Sequence, residues 1–307
     1  MSASADTVEA LGPVEGVLEL RVFRPARPPK GWLLIEVPHG ATRKAEYDAV
    51  AERLQGALPA QLEHFFFVNT DIGTPEGAQW LGERLSAEGY GVVVARCLVP
   101  RTFIDTNRVI AESKGGLVVA GLTPAVPGYI THEGDAALLI GLHAAYQEAV
   151  GPAYAAVCGA LGGLALQLHS YAPRSVQIEK TDASIVEALH AAYVPEVYAK
   201  WPERPPVDLI CATEDGSFRS APQLATALRA AYAEAGVEAG ENATYHLHPA
   251  TMGMAWAKAH PGRVICVELS RGLVADPFVP FGVSPISAAK IEALAAPIAQ
   301  VFARALG

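Results

Sequence analysis

Residues 32–40, WLLIEVPHG, combine a short apolar run with a polar turn, and this combination recurs along the chain. The run 32–37 is almost entirely apolar, and Pro38, His39 and Gly40 follow it directly. A short apolar run bounded by a turn is typical of a strand that is covered on both faces of its sheet. Polar groups at the carboxyl ends of such strands are where open α/β sheets carry their chemistry.

The rest of the chain alternates between similar runs and amphipathic segments. Further strands are predicted at 91–95, 164–168, 207–211 and 264–269. Ala and Leu recur three and four residues apart in the segments between them, which predicts helices at 46–55, 75–88, 133–150, 184–193, 221–235 and 285–305. Strands that alternate with helices indicate an α/β architecture around a buried mixed or parallel sheet.

Length and composition indicate one folded unit. The chain has 307 residues, 51% hydrophobic and 18% charged, which excludes disorder as its main state. Proline-rich segments at 25–29, 124–127 and 202–206 are predicted to be loops, because none is long enough for a linker. We therefore expect one α/β domain over residues 1–307, with residues 1–30 as a peripheral N-terminal extension.

Net charge and cysteine positions limit the classes of binding partner and the cellular compartment that we expect. The chain has 23 basic and 32 acidic residues, so its net charge of −9 opposes binding to nucleic acid or to anionic membranes. The four cysteines are far apart and lie in apolar runs, which favours reduced, buried thiols. The start, MSASADTVEA, has no basic and apolar signal region, and no apolar run reaches membrane-spanning length. A cytoplasmic protein without a membrane partner is expected.

Two histidines and a glutamate stand at the ends of predicted strands. His39 follows the first run, His169 follows the run 164–168, and Glu268 lies in the last run. Imidazole and carboxylate groups form ligand sets for zinc, and three protein ligands with an open fourth position activate water. These residues alone do not identify the third ligand.

Six segments together resemble a known family. They are VPHG (37–40), TDIGT (70–74), PRTFIDTNR (100–108), LQLHSY (166–171), ATEDGS (212–217) and VELSRGL (267–273). In this order they resemble the N-formylglutamate amidohydrolase family over about residues 32–274, and D-x-N-R followed by HS and E-x-x-R is the most specific part. The same landmarks are similar to those of zinc carboxypeptidases. The resemblance implies a three-layer, zinc carboxypeptidase-like α/β sandwich with a central mixed, largely parallel sheet.

The resemblance also implies a metal site. His39 and His169 match the family's metal-binding histidines, and Asp71 of TDIGT matches the acidic position that completes the site. Glu36 and Glu46 remain alternatives for the acidic ligand. Zinc is the expected cofactor, and another divalent metal is left open because availability and geometry decide occupancy.

Further roles follow from the same match. Glu268 corresponds to the late glutamate that takes a proton from water and passes it to the leaving amine, and Arg101 is the catalytic candidate for stabilising an oxyanion. Asn107 and Arg108 correspond to the pair that holds a substrate carboxylate, a task that suits the forked guanidinium. The residues assigned to substrate binding are Asn107, Arg108, Ser170, Tyr171 and Arg271.

The function implied is hydrolysis of the N-acyl amide, with formyl as the favoured acyl group, of an acidic amino acid such as glutamate. The substrate is then a small molecule. A related amidohydrolase or peptidase with another acyl group or a short peptide substrate is one alternative, and a non-catalytic carboxylate-binding relative is another. Residues 115–130, rich in glycine and proline, are predicted to be either an active-site lid or a surface loop.

Overall fold

Seven strands in the described part of the chain form one central sheet. The computed structural model describes residues 7–110, 122–178 and 180–307. The strands are β1 (Leu18–Phe23), β2 (Trp32–Val37), β3 (Gly91–Cys97), β4 (Leu164–Tyr171), β5 (Val207–Ile210), β6 (Ala239–Glu241) and β7 (Val264–Ser270).

Helices occupy the segments between the strands. They are α1 (Lys44–Ala51), α2 (Leu62–Asn69), α3 (Thr74–Ala87), α4 (Glu133–Tyr154), α5 (Ile185–Ala192), α6 (Pro195–Tyr198), α7 (Pro222–Glu234), α8 (Met252–Ala259) and α9 (Ala288–Leu306). A π-helical turn, Ala155–Ala160, continues α4. No helix in these described ranges is both long enough and apolar enough to cross a membrane.

The strand order is β1-β3-β2-β4-β7-β5-β6. The pairs β3-β2, β2-β4, β4-β7 and β5-β6 are parallel, whereas β1-β3 and β7-β5 are antiparallel. The α/β class and the mixed, largely parallel sheet predicted from the sequence are therefore confirmed.

Each face of the sheet carries its own hydrophobic core. Leu33, Ile35 and Val37 of β2 pack with residues of α3, α7 and α9. Trp32 and Leu34, whose side chains leave the opposite face, pack with residues of α1, α2 and α4. Because successive side chains of a strand alternate between faces, a run that is apolar throughout requires cover on both sides. The result is a three-layer sandwich.

The observed elements differ from the predicted ones in two instructive places. Residues 18–23, within the predicted peripheral extension, form the edge strand β1, which pairs with residues 92–97 of β3. The predicted strand 164–168 continues to Tyr171, because β7 pairs with it beyond Leu168. His169, Ser170 and Tyr171 therefore belong to the strand itself rather than to a loop after it. All four cysteines are free and buried, as predicted.

Candidate active site

Three separate segments bring His39, Asp71 and His169 together. His39 lies in the turn after β2, Asp71 lies between α2 and α3, and His169 lies in β4. The Asp71 segment is tied to the turn by two hydrogen bonds: the Asp71 amide donates to the His39 carbonyl oxygen over 3.4 Å, and Thr70 Oγ1 donates to the Ala41 carbonyl oxygen over 2.7 Å. The sheet and these bonds fix all three side chains.

The three side chains converge on one carboxylate oxygen. Asp71 Oδ2 lies 3.2 Å from His39 Nδ1 and 3.0 Å from His169 Nδ1, and all three residues are buried. Burial alone raises the pKa of Asp71, but the charges and hydrogen bonds of His39 and His169 outweigh it and hold the pKa well below its usual range. One ligand atom from each residue lies within 4.8 Å of the others.

The outer ring nitrogens of both histidines have acceptors. His39 Nε2 lies 2.8 Å from Asp105 Oδ1, and His169 Nε2 lies 3.2 Å from Gln167 Oε1. Such outer bonds orient metal-binding imidazoles and leave the inner nitrogen for the metal. The two separations from Asp71 Oδ2 also suit zinc, because ligand atoms about 2.1 Å from a tetrahedral ion lie roughly 3.4 Å apart. The donor set and its geometry therefore fit a divalent cation.

Arg271 holds the other side of Asp71. Its Nη2 donates to Asp71 Oδ1 over 3.2 Å and to the Ser170 carbonyl oxygen over 2.9 Å. Its Nε donates to Ser170 Oγ over 3.3 Å, and its Nη1 donates to the Val68 carbonyl oxygen. The sequence assigned Arg271 and Ser170 to substrate binding, and the structure engages both in this buried network around Asp71.

Asp105 connects His39 to two arginines. Its Oδ2 accepts from Arg101 Nε over 3.0 Å and lies 3.2 Å from Arg108 Nη2. Burial raises the pKa of Asp105, but Arg101, Arg108 and His39 together hold it well below its usual range. Arg108 also donates from Nε to the Thr123 carbonyl oxygen over 2.9 Å and weakly from Nη1 to that of Asn107. The guanidinium of Arg108 is therefore largely bonded within the protein.

Glu268 is the carboxylate beside the cluster. It pairs with His169 in the register of β4 and β7, so both side chains leave the same face of the sheet. Its Oε2 is buried and has no hydrogen-bond partner in the described part of the chain. Burial and the negative charge of Asp71 raise the pKa of Glu268 to about 7, against the opposing charges of His169, Arg204 and Arg101. Glu268 can therefore exchange a proton near neutral pH.

A cavity of about 280 Å³ opens over this arrangement. Every site residue predicted from the sequence lines it except Asp71, which is buried. Leu122, Thr123 and Pro124 also line it, so the second part of the predicted lid or loop borders the site. Residues 115–121 of that segment lie outside the described residues.

The two alternative acidic ligands are engaged elsewhere. Glu36 accepts hydrogen bonds from Tyr146 Oη over 2.8 Å, from Tyr154 Oη over 2.6 Å and from Gln167 Nε2 over 2.9 Å. Glu46 forms an ion pair with Arg96. The carboxylate that joins the two histidines is that of Asp71.

Several site residues were not predicted from the sequence. Gln167 lies two residues before His169 on the same face of β4, and a buried amide in an apolar strand is a signal that could have identified it. Arg204 and Tyr245 line the cavity from segments between strands, where no local pattern marks them. Tyr171 belongs to the cavity wall, and its Oη donates to the Pro205 carbonyl oxygen over 2.5 Å.

Comparisons with known proteins bear on the fold. No family model matches the chain, and no curated protein matches it by sequence. A solved structure of an Agrobacterium tumefaciens gene product covers 97% of this chain and 96% of its own, with 16% identity and a TM-score of 0.54. The two proteins share a fold.

Two further similar structures have TM-scores below 0.5. N-formylglutamate amidohydrolase from Ralstonia eutropha covers 94% of this chain and 96% of its own, with 17% identity and a TM-score of 0.47. A bacteriophage poly-gamma-glutamate hydrolase covers 98% of this chain and 95% of its own, with 10% identity and a TM-score of 0.39.

Proposed function

We propose that this protein is a metal-dependent amidohydrolase that removes the acyl group, with formyl favoured, from an N-acylated acidic amino acid. One observation carries the proposal: Glu268, whose Oε2 has no hydrogen-bond partner among the described residues, lies beside the buried cluster of His39, Asp71 and His169 and lines the same cavity as the two histidines. A protein that only binds carboxylates has no need of a protonatable group at this position.

The metal-binding role is assigned to His39, Asp71 and His169. Zinc or a similar divalent ion supplies Lewis acidity, which acidifies water and polarises an amide carbonyl. Asp105 and Gln167 hold the imidazoles in position through their outer nitrogens. Arg271 positions Asp71. Its guanidinium is already engaged in hydrogen bonds within the protein, so it is not the main contact for substrate.

Glu268 is assigned to proton transfer. Its Oε2 accepts a proton from the attacking water and then delivers it to the nitrogen of the departing amine. A group with a pKa of about 7 suits both steps, because it is ionised often enough to accept a proton and acidic enough to release it. The burial that raises this pKa also limits the access of bulk water to Oε2.

The cavity favours an anionic substrate. Its lining contains five arginines, Arg101, Arg108, Arg174, Arg204 and Arg271, although the whole chain has a net charge of −9. Arg101 donates from Nε to Asp105. Its terminal nitrogens, Nη1 and Nη2, have no hydrogen-bond partner among the described residues, so they are available to a developing oxyanion. Asn107 and Tyr171, which also line the cavity, are assigned to positioning the amino-acid part of the substrate.

Elemental analysis and turnover test the proposal. We expect about one divalent metal per chain, and hydrolysis of N-formylglutamate faster than that of N-acetylglutamate or a dipeptide. The double variant His39→Ala His169→Ala is expected to lose both metal and activity. Glu268→Gln is expected to retain metal while kcat falls about 10²- to 10⁴-fold.

Glu292→Gln, which removes an exposed carboxylate of α9, is the matched control and should behave as the wild type. Bound metal without turnover of any of the three substrates would support a non-catalytic relative. Full activity in metal-free protein would overturn the proposal, and preference for the dipeptide would replace the acyl substrate by a peptide.

A further inference from the structure

We propose that Arg204 forms an anion-binding subsite for the side-chain carboxylate of the substrate and thereby selects an acidic amino acid. The inference rests on the proposed function and deepens it. Arg204 lies in the segment before β5 and lines the cavity, and none of the sequence motifs contains it.

Two tyrosines hold the guanidinium of Arg204 in place. Its central carbon lies 5.1 Å from the ring centroid of Tyr171 and 5.3 Å from that of Tyr245. Its Nη2 donates to Tyr245 Oη over 2.8 Å, and its Nε donates to Ser175 Oγ over 3.0 Å. Arginine stacked on aromatic faces in this way keeps a fixed orientation, so little conformational entropy is lost when an anion binds.

Arg204 differs from the other arginines of the cavity in its charge balance. Arg101 and Arg108 pair with Asp105, Arg174 pairs with Glu203, and Arg271 pairs with Asp71. Within residues 7–110, 122–178 and 180–307, Arg204 has no carboxylate at ion-pair distance, and its Nη1 has no hydrogen-bond partner. A fixed guanidinium in a cavity, with no carboxylate paired to it at ion-pair distance, is a site for an external carboxylate.

Its position relates this subsite to the amino-acid half of the substrate. Tyr171, on which Arg204 stacks, lies two residues after His169 in β4. The positive charges of Arg204 and Arg101 both act on Glu268. Glu268 is the proposed proton donor to the leaving amine, so an anion bound at Arg204 belongs to the amino acid that departs.

Substrates that differ only in that charge test the assignment. N-formylglutamine replaces the side-chain carboxylate of N-formylglutamate by a neutral amide of the same size. For Arg204→Gln we expect the kcat/KM ratio of the acid over the amide to fall about 10- to 100-fold, since a hydrogen bond to a charged group is worth about 1.5 to 3 kcal/mol. The change should fall mainly on KM for N-formylglutamate, and Arg204→Lys should restore part of the preference.

Arg229→Gln, which removes an exposed positive charge of α7, controls for net charge and should keep the wild-type ratio. If Arg204→Gln does not fold, Tyr245→Phe removes only the hydroxyl that orients Nη2, and the ratio should fall about 3- to 10-fold. An unchanged ratio in folded Arg204→Gln, or in Tyr245→Phe where only that variant folds, overturns the inference.

A binding measurement separates this inference from the proposed function. Calorimetry with the purified full chain should show tighter binding of glutarate than of its monoamide, and Arg204→Gln should abolish the difference. If no N-acyl amino acid is hydrolysed but this binding preference depends on Arg204, the proposed reaction fails and the subsite stands. If hydrolysis occurs without any Arg204-dependent preference, the reaction stands and the subsite is overturned.

Discussion

Arg271 Nη2 donates to Asp71 Oδ1 over 3.2 Å, although the two residues are 200 positions apart in the chain. The other oxygen, Oδ2, faces the two imidazoles. The guanidinium of Arg271 thus binds one oxygen of the carboxylate, Oδ1, and the other oxygen, Oδ2, is available to the proposed metal. The charges and hydrogen bonds of His39 and His169 hold the pKa of Asp71 well below its usual range, in a place where burial alone would raise it.

Replacing Arg271 tests that support. Arg271→Gln should weaken metal binding about 10- to 100-fold, because Asp71 loses the partner that orients it and balances its charge. Competition with a chromophoric chelator measures the dissociation constant. Arg229→Gln is the exposed control, and an equal affinity in Arg271→Gln and wild type would contradict the positioning role.

The proton affinity of Glu268 predicts a pH-dependent stability. Its folded-state pKa of about 7 exceeds the ordinary value of 4.5, so the folded protein binds more protons than the unfolded chain between these pH values. The contribution of Glu268 to the free energy of unfolding therefore falls as the pH rises from about 4.5 to about 7. Metal-free Glu268→Gln should melt about 2 to 4 °C above metal-free wild type at pH 8 and near it at pH 5.

Thermal melts of both proteins in chelator, at pH 5 and pH 8, give the comparison. Adding metal should shrink the difference at pH 8, because a nearby cation favours ionised Glu268. If Glu268→Gln raises the melting temperature equally at both pH values, ionisation of Glu268 does not destabilise the wild type and the prediction is wrong.

Gln167 links the cluster of His39, Asp71 and His169 to the core. Its Oε1 accepts a hydrogen bond from His169 Nε2 over 3.2 Å, and its Nε2 donates one to Glu36 Oε2 over 2.9 Å. Gln167→Leu should weaken metal binding about 10- to 100-fold and lower the free energy of unfolding by about 1 to 3 kcal/mol. Chelator competition and denaturant melts measure the two effects. Gln223→Leu, at an exposed position of α7, should change neither, and a loss of stability without any loss of affinity would limit Gln167 to a structural role.

Glu36 is predicted to act in stability alone. Tyr154 donates to its Oε2 over 2.6 Å, so Tyr154→Phe should lower the free energy of unfolding by about 1 to 3 kcal/mol while metal content stays at the wild-type level. Tyr232→Phe, which removes a buried hydroxyl bonded over 2.9 Å to the Leu294 carbonyl oxygen, is the comparison. Loss of metal in Tyr154→Phe alone would place Glu36 in the metal site after all.

The central strands were predictable because they are covered on both faces. The run 32–37 has no polar residue except Glu36, and even this one is accommodated by three donors. The edge strand β1 was missed because LELRVF is only partly buried, so its apolar content is diluted by Glu19 and Arg21. Helix α2 was missed because LEHFFFVN has apolar residues on most of its circumference and shows no single face.

The site was predictable to the extent that it follows the strands. His39 and His169 are marked by their places at the ends of apolar runs. Asp71 came from the family resemblance, because a short loop between two helices has no pattern of its own. Arg204 was not predicted, since its environment depends on Tyr171 and Tyr245, which reach it from other parts of the chain.

The strand order has a consequence for synthesis on the ribosome. Strand β7 lies in the interior of the sheet, between β4 and β5, yet it is the last of these seven described strands to be translated. Until it emerges, β1 to β4 and the β5-β6 pair are two fragments with open hydrogen-bonding edges. A chain that stops before Val264 therefore exposes two unpaired strand edges that can pair with other chains. Chaperones or proteases would act on it at that stage.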